Sequence, residues 1–587
     1  MLRTPALRLP GEPLATAAPP LGDRVWLKKY PPGVPPEVEI PNVLLTELIQ
    51  RSVERWADRP AILYYGASWT YRRFWSESER FAAALRRDGI GPGDRVALYL
   101  PNSPLYPIAL FAILRLGAIV VQVSPLYLGQ DLARILKDAG PKALVTLEVL
   151  APNVAKIRSD YPIPVVYVAR LREFYPWYKR PFVNSVLRKR KMPTEFPTDS
   201  WVHPYSAAVR TQGSVGLFRA DPAQTVAVYQ YTGGTTGVPK AAMLTHRNLV
   251  ANVTQANAWN TTRVSGQEIV LAAIPFFHIY GLTVAMLMSF ADGGAVVVQN
   301  RPDIPELLHL IDVYQPTQFP GVPALYNGFN HQPDIAKHRI HSIKYCLSGS
   351  APLPLEVAKT FESLTGGSVV EGYGLSETSP ATHVNPLKGE RRPGSIGLPL
   401  PNTEERVVDL ETGTRVLGVD EVGELSVRGP QVMLGYFGHP EETAAVLRDG
   451  WFRTGDVARI DADGYAYIVD RKKDMVNVGG MKVYPREVEE VLFQHPAVAD
   501  AAAIGVPDPE HGEVIKAYVV RKPGQTVTAD ELIAFVRGRI AHYKAPRSIE
   551  FRDALPRSGV QKVLRRVLRD EPAAPAVAPP AATAPGK

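Results

Sequence analysis

Apolar and polar positions follow two alternating periods in the first third of the chain. Between residues 94 and 147, apolar runs of strand length are separated by runs of helix length. The strand-like runs are RVALYLP, AIVVQV and KALVTL, and the helix-like runs are SPLYPIALFAILRLG and GQDLARILKDAG. This alternation predicts right-handed βαβ units in a parallel α/β layer. A similar alternation recurs in TVAVYQY, LLHLIDVYQ and SIKYCLSG.

The pattern changes twice towards the C-terminus. After about residue 401, short strands with turn signals predict a β-rich subdomain, as in EERVVDL, GELSVRG and GYAYIVD. From about residue 471, two amphipathic helices and two strand-like runs predict a separate α+β domain of about 100 residues. We therefore expect an α/β protein with a large N-terminal domain of layered α/β subdomains plus a β-rich subdomain, and a small C-terminal domain.

Four segments follow from these changes. We expect a flexible N-terminal segment over 1–23, the large domain over 24–470, the small domain over 471–570, and a tail over 571–587. The tail consists mainly of Ala and Pro without periodicity, so we expect it to be disordered.

Composition excludes several classes of protein. Hydrophobic residues make up 45% of the chain and charged residues 21%, which excludes a disordered, collagen-like or disulfide-stapled chain. Cys346 is the one cysteine, and the first 20 residues lack the apolar core of a secretory signal peptide, so we expect a cytoplasmic protein. The longest apolar stretch, 281–298, is interrupted at 292–294 and predicts a buried helix, turn and strand rather than a membrane span.

The net charge of +8 is concentrated in one place. Residues 170–192 contain eight basic side chains and one acidic side chain, Glu173, interleaved with five aromatic residues. Basic residues mixed with aromatics suit an anionic membrane surface, so we predict peripheral contact with the inner membrane here. A solvated surface insertion is an equal alternative, and we expect no nucleic-acid binding.

The most informative motif lies in YQYTGGTTGVPKAAMLTHRNL. An apolar strand leads into Thr232, Gly233, Gly234, Thr235, Thr236 and Gly237, and then to Lys240. Glycines allow close approach of the backbone to an anion, hydroxyls donate hydrogen bonds, and a lysine neutralises charge. The motif therefore predicts a polyphosphate site, with a simple glycine-rich turn as the alternative. It is not a P-loop, because Val238 and Pro239 precede the lysine and Ala241 replaces the magnesium-binding hydroxyl.

With this loop, the chain resembles the adenylate-forming acyl-CoA synthetases, and among them the bacterial long-chain fatty-acid ligases. Further motifs carry the resemblance in order: IPFFHIYG, SGSAPL, EGYGLSET, GWFRTGD, VDRKKDMVNVGGMKVYPREVE and LPRSGVQKVLRRVLR. The resemblance covers about 24–569. It implies that a fatty acid is activated with ATP to acyl-AMP and pyrophosphate and is then transferred to CoA, with Mg²⁺ as cofactor.

The resemblance also implies the roles of individual residues. The ATP site would comprise Thr232, Gly233, Gly234, Thr235, Thr236, Gly237, Lys240, Gly349, Ser350, Ala351, Gly372, Tyr373, Asp456 and Arg471. The catalytic residues would be Lys562, Glu377, Thr378 and His278, with Lys473 as a hinge and Gly479 and Gly480 near CoA.

Within that set, the resemblance implies that Glu377 binds magnesium and Thr378 donates to the α-phosphate. Tyr373 would stack on adenine, and Asp456 would accept from both ribose hydroxyls with help from Arg471. Lys562 would bridge the carboxylate and the α-phosphate, after Gln561 where the family usually has glycine. The C-terminal domain would rotate about Lys473 between two reaction states.

Several of these residues also have purely structural interpretations. Lys240 is compatible with a solvated loop lysine, Asp456 with a helix cap, and His278 with a buried structural histidine. Gly479 and Gly480 equally fit a hairpin turn. We expect Arg565, Arg566 and Arg569 to be solvated helix residues.

Acyl specificity is less defined by the sequence. The segment GLTVAMLMSF fits a lining for an acyl tunnel or an ordinary core, and Leu282 stands where some relatives have a tryptophan gate. The alternatives to a long-chain ligase are a fatty-acyl-AMP ligase, a medium-chain or aryl acid:CoA ligase, and a non-catalytic lipid or nucleotide-binding protein. Family members often form dimers, which leaves a homodimer open.

Overall fold

The chain divides into two compact units between Ile468 and Val469. The computed structural model describes residues 22–232, 239–300, 303–558 and 563–570. The boundary predicted from sequence, after residue 470, lies two residues further along. The predicted tail, 571–587, and all but the last two residues of the predicted segment 1–23 lie outside the described residues.

The strands of the described residues are numbered in chain order. They are β1 (Pro60–Tyr64), β2 (Ala67–Thr70), β3 (Arg95–Tyr99), β4 (Ile119–Val123), β5 (Ala143–Leu147), β6 (Val165–Ala169), β7 (Val202–Pro204), β8 (Val226–Thr232), β9 (Lys240–Thr245), β10 (Ile269–Ala272), β11 (Ala295–Val298), β12 (Tyr345–Ser348), β13 (Ser368–Gly374), β14 (Ala381–Val384), β15 (Leu398–Pro399), β16 (Glu404–Val408), β17 (Gly423–Arg428), β18 (Gly435–Tyr436), β19 (Leu447–Arg448), β20 (Trp451–Ile460), β21 (Ala466–Arg471), β22 (Val476–Val478), β23 (Met481–Val483), β24 (Val498–Asp508), β25 (Gly512–Arg521) and β26 (Ser548–Phe551).

The α-helices follow the same order. They are α1 (Leu45–Arg55), α2 (Tyr71–Arg87), α3 (Leu105–Arg115), α4 (Gly129–Ala139), α5 (Ala151–Lys156), α6 (Arg180–Lys189), α7 (Tyr205–Ala208), α8 (His246–Trp259), α9 (Met288–Ala291), α10 (Ile304–Tyr314), α11 (Pro323–Asn330), α12 (Leu355–Thr365), α13 (Pro440–Val446), α14 (Pro485–Phe493), α15 (Ala529–Arg537) and α16 (Arg565–Asp570). Among these residues, no helix combines the length and apolar character that crossing a bilayer requires.

The βαβ units predicted between residues 94 and 147 are confirmed. Strands β3, β4 and β5 pair in parallel, with α3 and α4 as the connections. They form the centre of an eight-stranded sheet of order β18-β9-β8-β4-β3-β5-β6-β7. Helix α3 is buried along its whole length, which is why its sequence is apolar on every face.

Three smaller sheets complete the first unit. Two have four strands, in the orders β10-β11-β1-β2 and β12-β13-β14-β15. The third is the predicted β-rich part after residue 401, with β16, β17, β20 and β19 in order. The apolar stretch 281–298 forms a buried π-helix at Gly281–Leu287, then α9, a turn and β11, as its interruption predicted.

The second unit is the predicted small α+β domain. Its sheet has the order β23-β22-β25-β24, with β26 parallel to β25. The inner faces of α14 and α15 bury Val488, Leu492 and Leu532 against Val519 of this sheet.

Arg565 contradicts the expectation of a solvated helix residue. Its guanidinium lies 3.1 Å from Asp470, 3.3 Å from Asp474 and 2.7 Å from Glu489. Three carboxylates that are close together and partly shielded from water require a cation. These partners of Arg565 are distant in sequence, so the helix sequence alone could not reveal them. Arg569 also pairs with Asp474 at 3.1 Å, whereas Arg566 is exposed as expected.

Candidate active site

The predicted phosphate loop connects two antiparallel strands. Strand β8 ends at Thr232 and β9 begins at Lys240, and these two residues are direct partners across the hairpin. Gly233, Gly234, Thr235, Thr236 and Gly237 lie outside the described residues. The strand pairing therefore fixes both ends of the loop and brings Lys240 opposite Thr232.

Lys240 is mostly buried and ion-paired, which excludes a fully solvated loop lysine. Its side chain is 12% exposed, and Nζ lies 3.2 Å from Oε1 of Glu442 on α13. The ammonium group also lies 5.7 Å from the centre of the Tyr436 ring. Contacts with a carboxylate and an aromatic face both stabilise a cation in a partly dehydrated position.

Tyr436 brings the predicted magnesium ligand next to this lysine. Its hydroxyl donates to Oε1 of Glu377 at 2.8 Å. The short strand β18 pairs with β9, so Tyr436 lies opposite Ala242, two residues after Lys240. Burial raises the pKa of the Tyr436 phenol, and the charge of Glu377 raises it further, so the phenol stays a donor. Tyr436 was missed by the sequence analysis, because its partners come from distant segments.

Thr378 is fully buried in the turn that follows Glu377. Its hydroxyl accepts from the amide of Leu375 at 3.0 Å and contacts the carbonyl oxygens of Leu375 and Pro380. These contacts hold the turn that positions Glu377. The predicted contact of Thr378 with an α-phosphate stays a prediction.

The predicted adenine and ribose residues are hydrogen-bonded to each other. The hydroxyl of Tyr373, on β13, donates to Oδ2 of Asp456, on β20, at 2.6 Å. Asp456 lies within a strand and is 5% exposed, so it is not a helix cap. Gly372 precedes Tyr373, and a Cβ there would lie 2.8 Å from the end of the Leu347 side chain, which would have to move.

The segment 349–351 leaves the same sheet edge as Tyr373. Strands β12 and β13 are parallel, with Ser348 opposite Glu371, so the residues after each strand emerge side by side. Gly349 lies under Tyr280, and a Cβ would come 3.3 Å from that ring. Ser350 adopts a left-handed backbone with φ of +70°. Ala351 follows, half-buried. The topology therefore groups all three with Tyr373.

His278 lies in a loop whose backbone is hydrogen-bonded by a side chain from a distant segment. Asn102, which is 4% exposed, donates to the carbonyls of Ala272 and Ile274 at 3.2 and 3.0 Å and accepts from the amide of Phe276 at 2.6 Å. The Nδ1 atom of His278 accepts from the amide of Tyr280 at 3.3 Å. His278 is half-buried rather than a fully buried core histidine.

Tyr280 connects this loop to the segments predicted to contact adenine. Its hydroxyl lies 2.6 Å from the Leu347 carbonyl and 3.1 Å from that of Gly321. Neither Asn102 nor Tyr280 was singled out from the sequence. The sequence offered one signal for Asn102, which is a polar side chain three residues after the end of the buried parallel strand β3.

The residues predicted for hinge and CoA contact lie in the second unit. Arg471 ends β21, and Lys473 is exposed in the turn Lys472–Asp474. Gly479 and Gly480 form the two-residue turn between β22 and β23, with φ of 57° and 86°. Two positive φ values are typical of a tight hairpin and select glycine. The hairpin interpretation is therefore confirmed, and contact with CoA stays a prediction. Lys562 lies outside the described residues.

A two-unit α/β chain with this loop, glutamate and hydrogen-bonded tyrosine–aspartate pair has the architecture of an adenylate-forming enzyme. The family described as AMP-binding enzyme matches residues 49–437, and the family described as AMP-binding enzyme C-terminal domain matches residues 487–562. The chain belongs to the family of AMP-binding enzymes. The resemblance found in the sequence motifs is confirmed, and so is the predicted fold class.

Relatives match the chain over nearly its whole length. A long-chain-fatty-acid–CoA ligase of Bacillus subtilis is 42% identical over 548 residues, covering 93% of this chain and 98% of the relative. One from Escherichia coli O157:H7 is 40% identical with the same coverage. The crystal structure of the anthranilate CoA ligase AuaEII in complex with anthranoyl-AMP is 26% identical with a TM-score of 0.78, covering 90% of this chain and 97% of that one.

Proposed function

We propose that this protein is an AMP-forming long-chain fatty acid:CoA ligase. One observation carries the proposal: the hydrogen-bonded Tyr373–Asp456 pair lies on a scaffold that matches long-chain-fatty-acid–CoA ligases over 93% of the chain. The match to an aryl acid ligase is weaker, at 26% identity, which favours a fatty acid over an aryl acid.

The reaction has two steps because a carboxylate is a poor electrophile. In the first, a carboxylate oxygen of the fatty acid attacks the α-phosphorus of ATP, the bond to the β-phosphate breaks, and pyrophosphate leaves. In the second, the CoA thiol loses its proton and attacks the acyl carbon, and AMP leaves with the electrons of the broken C–O bond. The site must therefore bring anions together, hold them in line and stabilise the charge that develops.

The phosphate side of the site is assigned to Thr232–Gly237, Lys240 and Glu377. Lys240 would neutralise charge on the outer phosphates. Magnesium commonly binds to one or two carboxylates and to substrate phosphates while keeping several waters. A single carboxylate fits that mode, and among the described residues no cluster of three or more His, Cys, Asp or Glu side chains offers a protein-only cage. When bound, Mg²⁺ would supply charge neutralisation at the phosphates, and Glu377 would hold it in the direction set by Tyr436.

The nucleoside side is assigned to Tyr373, Asp456 and the segment 349–351. A carboxylate that accepts from both ribose hydroxyls fixes the sugar, and an aromatic face provides a platform for adenine. Arg471 would assist Asp456, Lys562 would bridge the two reacting anions, and Lys473 would serve as the hinge. Gly479 and Gly480 would leave room for the pantetheine arm.

The acyl group is assigned to the region of His278 and the buried π-helix Gly281–Leu287. The π-helix is a rare geometry that is frequent at functional sites. All seven of its residues are buried, and Leu282 is fully enclosed. His278 would lie at the entrance, where it orients the carboxylate.

Acid-dependent ATP/pyrophosphate exchange tests the function directly. Exchange should occur with palmitate more than with octanoate or benzoate, and AMP release should require CoA. Exchange without CoA-dependent turnover would favour a fatty-acyl-AMP ligase. Preference for benzoate would overturn the acyl class, and absence of exchange with all three acids would favour a binding protein without turnover.

A second proposal concerns residues 170–192, which we assign to contact with the anionic inner face of the membrane. Helix α6 buries Val183 and Leu187 and directs Phe182 and Val186 outward, at 70% and 47% exposure. Trp177, just before the helix, is 79% exposed. Exposed apolar side chains surrounded by lysine and arginine suit the headgroup region of a bilayer.

The segment is anchored, so its exposed face is presented in a fixed direction. Lys179 donates to the carbonyl of Tyr65 at 2.9 Å, and the rings of Tyr175 and Tyr65 stack at 5.3 Å. A fixed apolar and basic face would suit an enzyme that collects fatty acids at a membrane. A homodimer remains a prediction without support from these contacts.

Liposome flotation with phosphatidylglycerol vesicles tests the membrane proposal. The double variant Lys189→Gln/Lys191→Gln should bind about 30-fold more weakly, at about 1 kcal/mol per cation. The matched control Lys337→Gln/Lys359→Gln removes two exposed cations elsewhere. Equal binding of both variants would contradict the assignment and favour a solvated insertion.

A further inference from the structure

A histidine and a glutamate form a completely buried pair next to the nucleoside side of the site. The Nε2 atom of His383 lies 3.0 Å from Oε2 of Glu405, and both side chains are 0% exposed. A buried ionisable pair costs desolvation energy and is often no more stable than an apolar pair of the same shape. Its presence therefore calls for a reason other than stability.

His383, one member of the pair, makes direct contact with Tyr373. His383 lies on β14 directly opposite Tyr373 on β13. Their rings approach edge to face, with centres 5.9 Å apart and planes at 64°. Thr382 adds a second link, since its hydroxyl lies 2.8 Å from Nδ1 of His383 and 3.4 Å from the carbonyl of Tyr373.

These contacts join two sheets through one continuous path. Glu405 lies on β16 and Asp456 on β20, both in the five-stranded sheet, whereas His383 and Tyr373 belong to the four-stranded sheet. The path runs from Glu405 to His383, to Tyr373 and then to Asp456 through the 2.6 Å hydrogen bond. The path begins and ends in the five-stranded sheet. Tyr373 is therefore contacted from both sides, by His383 and by Asp456, and these contacts limit its movement.

The hydrogen bond between His383 and Glu405 requires a proton on one of its two atoms. If Thr382 donates to the Tyr373 carbonyl, Nδ1 of His383 carries a hydrogen and donates to Thr382. The second hydrogen bond then needs either a protonated Glu405 or a doubly protonated His383. Burial raises the pKa of Glu405, while its hydrogen bond with His383 opposes that shift. In both forms the geometry is the same, and the pair holds the His383 ring in one orientation.

We infer that His383 and Glu405 are positioning residues for nucleotide recognition, which set the distance between the adenine-binding tyrosine and the ribose-binding aspartate. The inference rests on the proposed roles of Tyr373 and Asp456. Neither His383 nor Glu405 touches the nucleotide in this scheme. Both act through the orientation of the Tyr373 ring, and so the expected defect is in recognition of the nucleoside rather than of the fatty acid.

The test compares ATP with 2′-deoxy-ATP in palmitate-dependent pyrophosphate exchange by the full chain. The main variant is His383→Leu/Glu405→Leu, which removes both polar groups together and avoids leaving one ionisable group unpaired in the core. Glu405→Gln is the conservative variant, since either amide atom can pair with Nε2. His246→Leu is the matched control, because His246 is also fully buried and belongs to the same unit as His383.

The double variant should raise the KM for ATP about tenfold, which corresponds to about 1.4 kcal/mol, and leave the KM for palmitate within about twofold. Its preference for ATP over 2′-deoxy-ATP should fall towards that of Asp456→Asn, whereas Glu405→Gln and His246→Leu should keep the preference of the native chain.

Two results would overturn the inference in distinguishable ways. If Asp456→Asn loses the preference for ATP and the double variant keeps it, His383 and Glu405 do not position the site. If Asp456→Asn itself keeps the preference, the assignment of the ribose site is wrong, and the inference falls with it.

Discussion

Tyr436→Phe is the most direct test of how the phosphate side of the site is built. The substitution removes one hydroxyl, which donates to Oε1 of Glu377 at 2.8 Å, and keeps the ring that lies 5.7 Å from the Lys240 ammonium. It therefore separates the orientation of Glu377 from the environment of Lys240.

The expected magnitude follows from the charge of the acceptor. A hydrogen bond to a charged group contributes about 1.5–3 kcal/mol, and the lower end applies here because both residues are only half-buried. A loss of about 1.5 kcal/mol corresponds to a little more than tenfold in an affinity. If Glu377 holds magnesium with the nucleotide, this loss should appear in the dependence of the rate on Mg²⁺ and ATP.

The assay is palmitate-dependent pyrophosphate exchange measured over a series of Mg²⁺ concentrations at fixed ATP. The concentration of Mg²⁺ at half-maximal rate should rise about tenfold in Tyr436→Phe, with the KM for palmitate little changed. Tyr30→Phe is the control, since it removes a hydroxyl that donates to the Pro399 carbonyl at 2.6 Å, away from Glu377. Equal Mg²⁺ curves for the two variants would refute the role of Tyr436 in orienting Glu377.

Three further predictions concern packing and charge. Gly281→Ala should abolish palmitate activation and lower the melting temperature, because the new Cβ would lie 2.1 Å from the Pro275 carbonyl oxygen. The control Gly216→Ala, which places a Cβ in open space, should resemble the native chain in both measurements. Arg565→Leu should destabilise the second unit by about 3–5 kcal/mol in urea unfolding, since Asp470 and Glu489 lose this cation and Asp474 keeps Arg569 but loses Arg565; an unchanged midpoint would contradict this. Burial lowers the pKa of His246 to about 3, whereas in the unfolded chain its pKa is about 6.5. As the pH falls below 6.5, the unfolded chain therefore binds a proton that the folded chain does not, and the free energy of unfolding decreases, by about 2 kcal/mol between pH 7 and 5. His246→Asn should remove this part of the pH dependence.

The sequence predicted the fold where a local pattern is repeated along the chain. The runs between residues 94 and 147 gave β3, α3, β4, α4 and β5 because burial on both faces of a parallel sheet demands continuous apolar strands. The interruption at 292–294 predicted the turn before β11 for a similarly local reason, since polar and glycine residues cannot continue a buried helix.

The candidate site was predictable only in part. Asp456 and Tyr373 were assigned through motifs, and the structure then showed them hydrogen-bonded across two sheets. Asn102, Tyr280 and Tyr436 were missed because each acts on a segment far away in sequence. Arg565 was assigned wrongly for the same reason, as its three carboxylate partners lie about 75–95 residues earlier.

The amino-acid sequence by itself determined the family, the layered α/β architecture and the order of the motifs, because periodicity, turn chemistry and motif composition are local properties of the chain. Only the tertiary structure decided which side chains are partners: Lys240 with Glu442, Tyr436 with Glu377, and His383 with Glu405. Those pairings depend on how sheets from distant segments pack, and a hydrogen bond a few ångströms long is fixed by that packing rather than by spacing along the sequence.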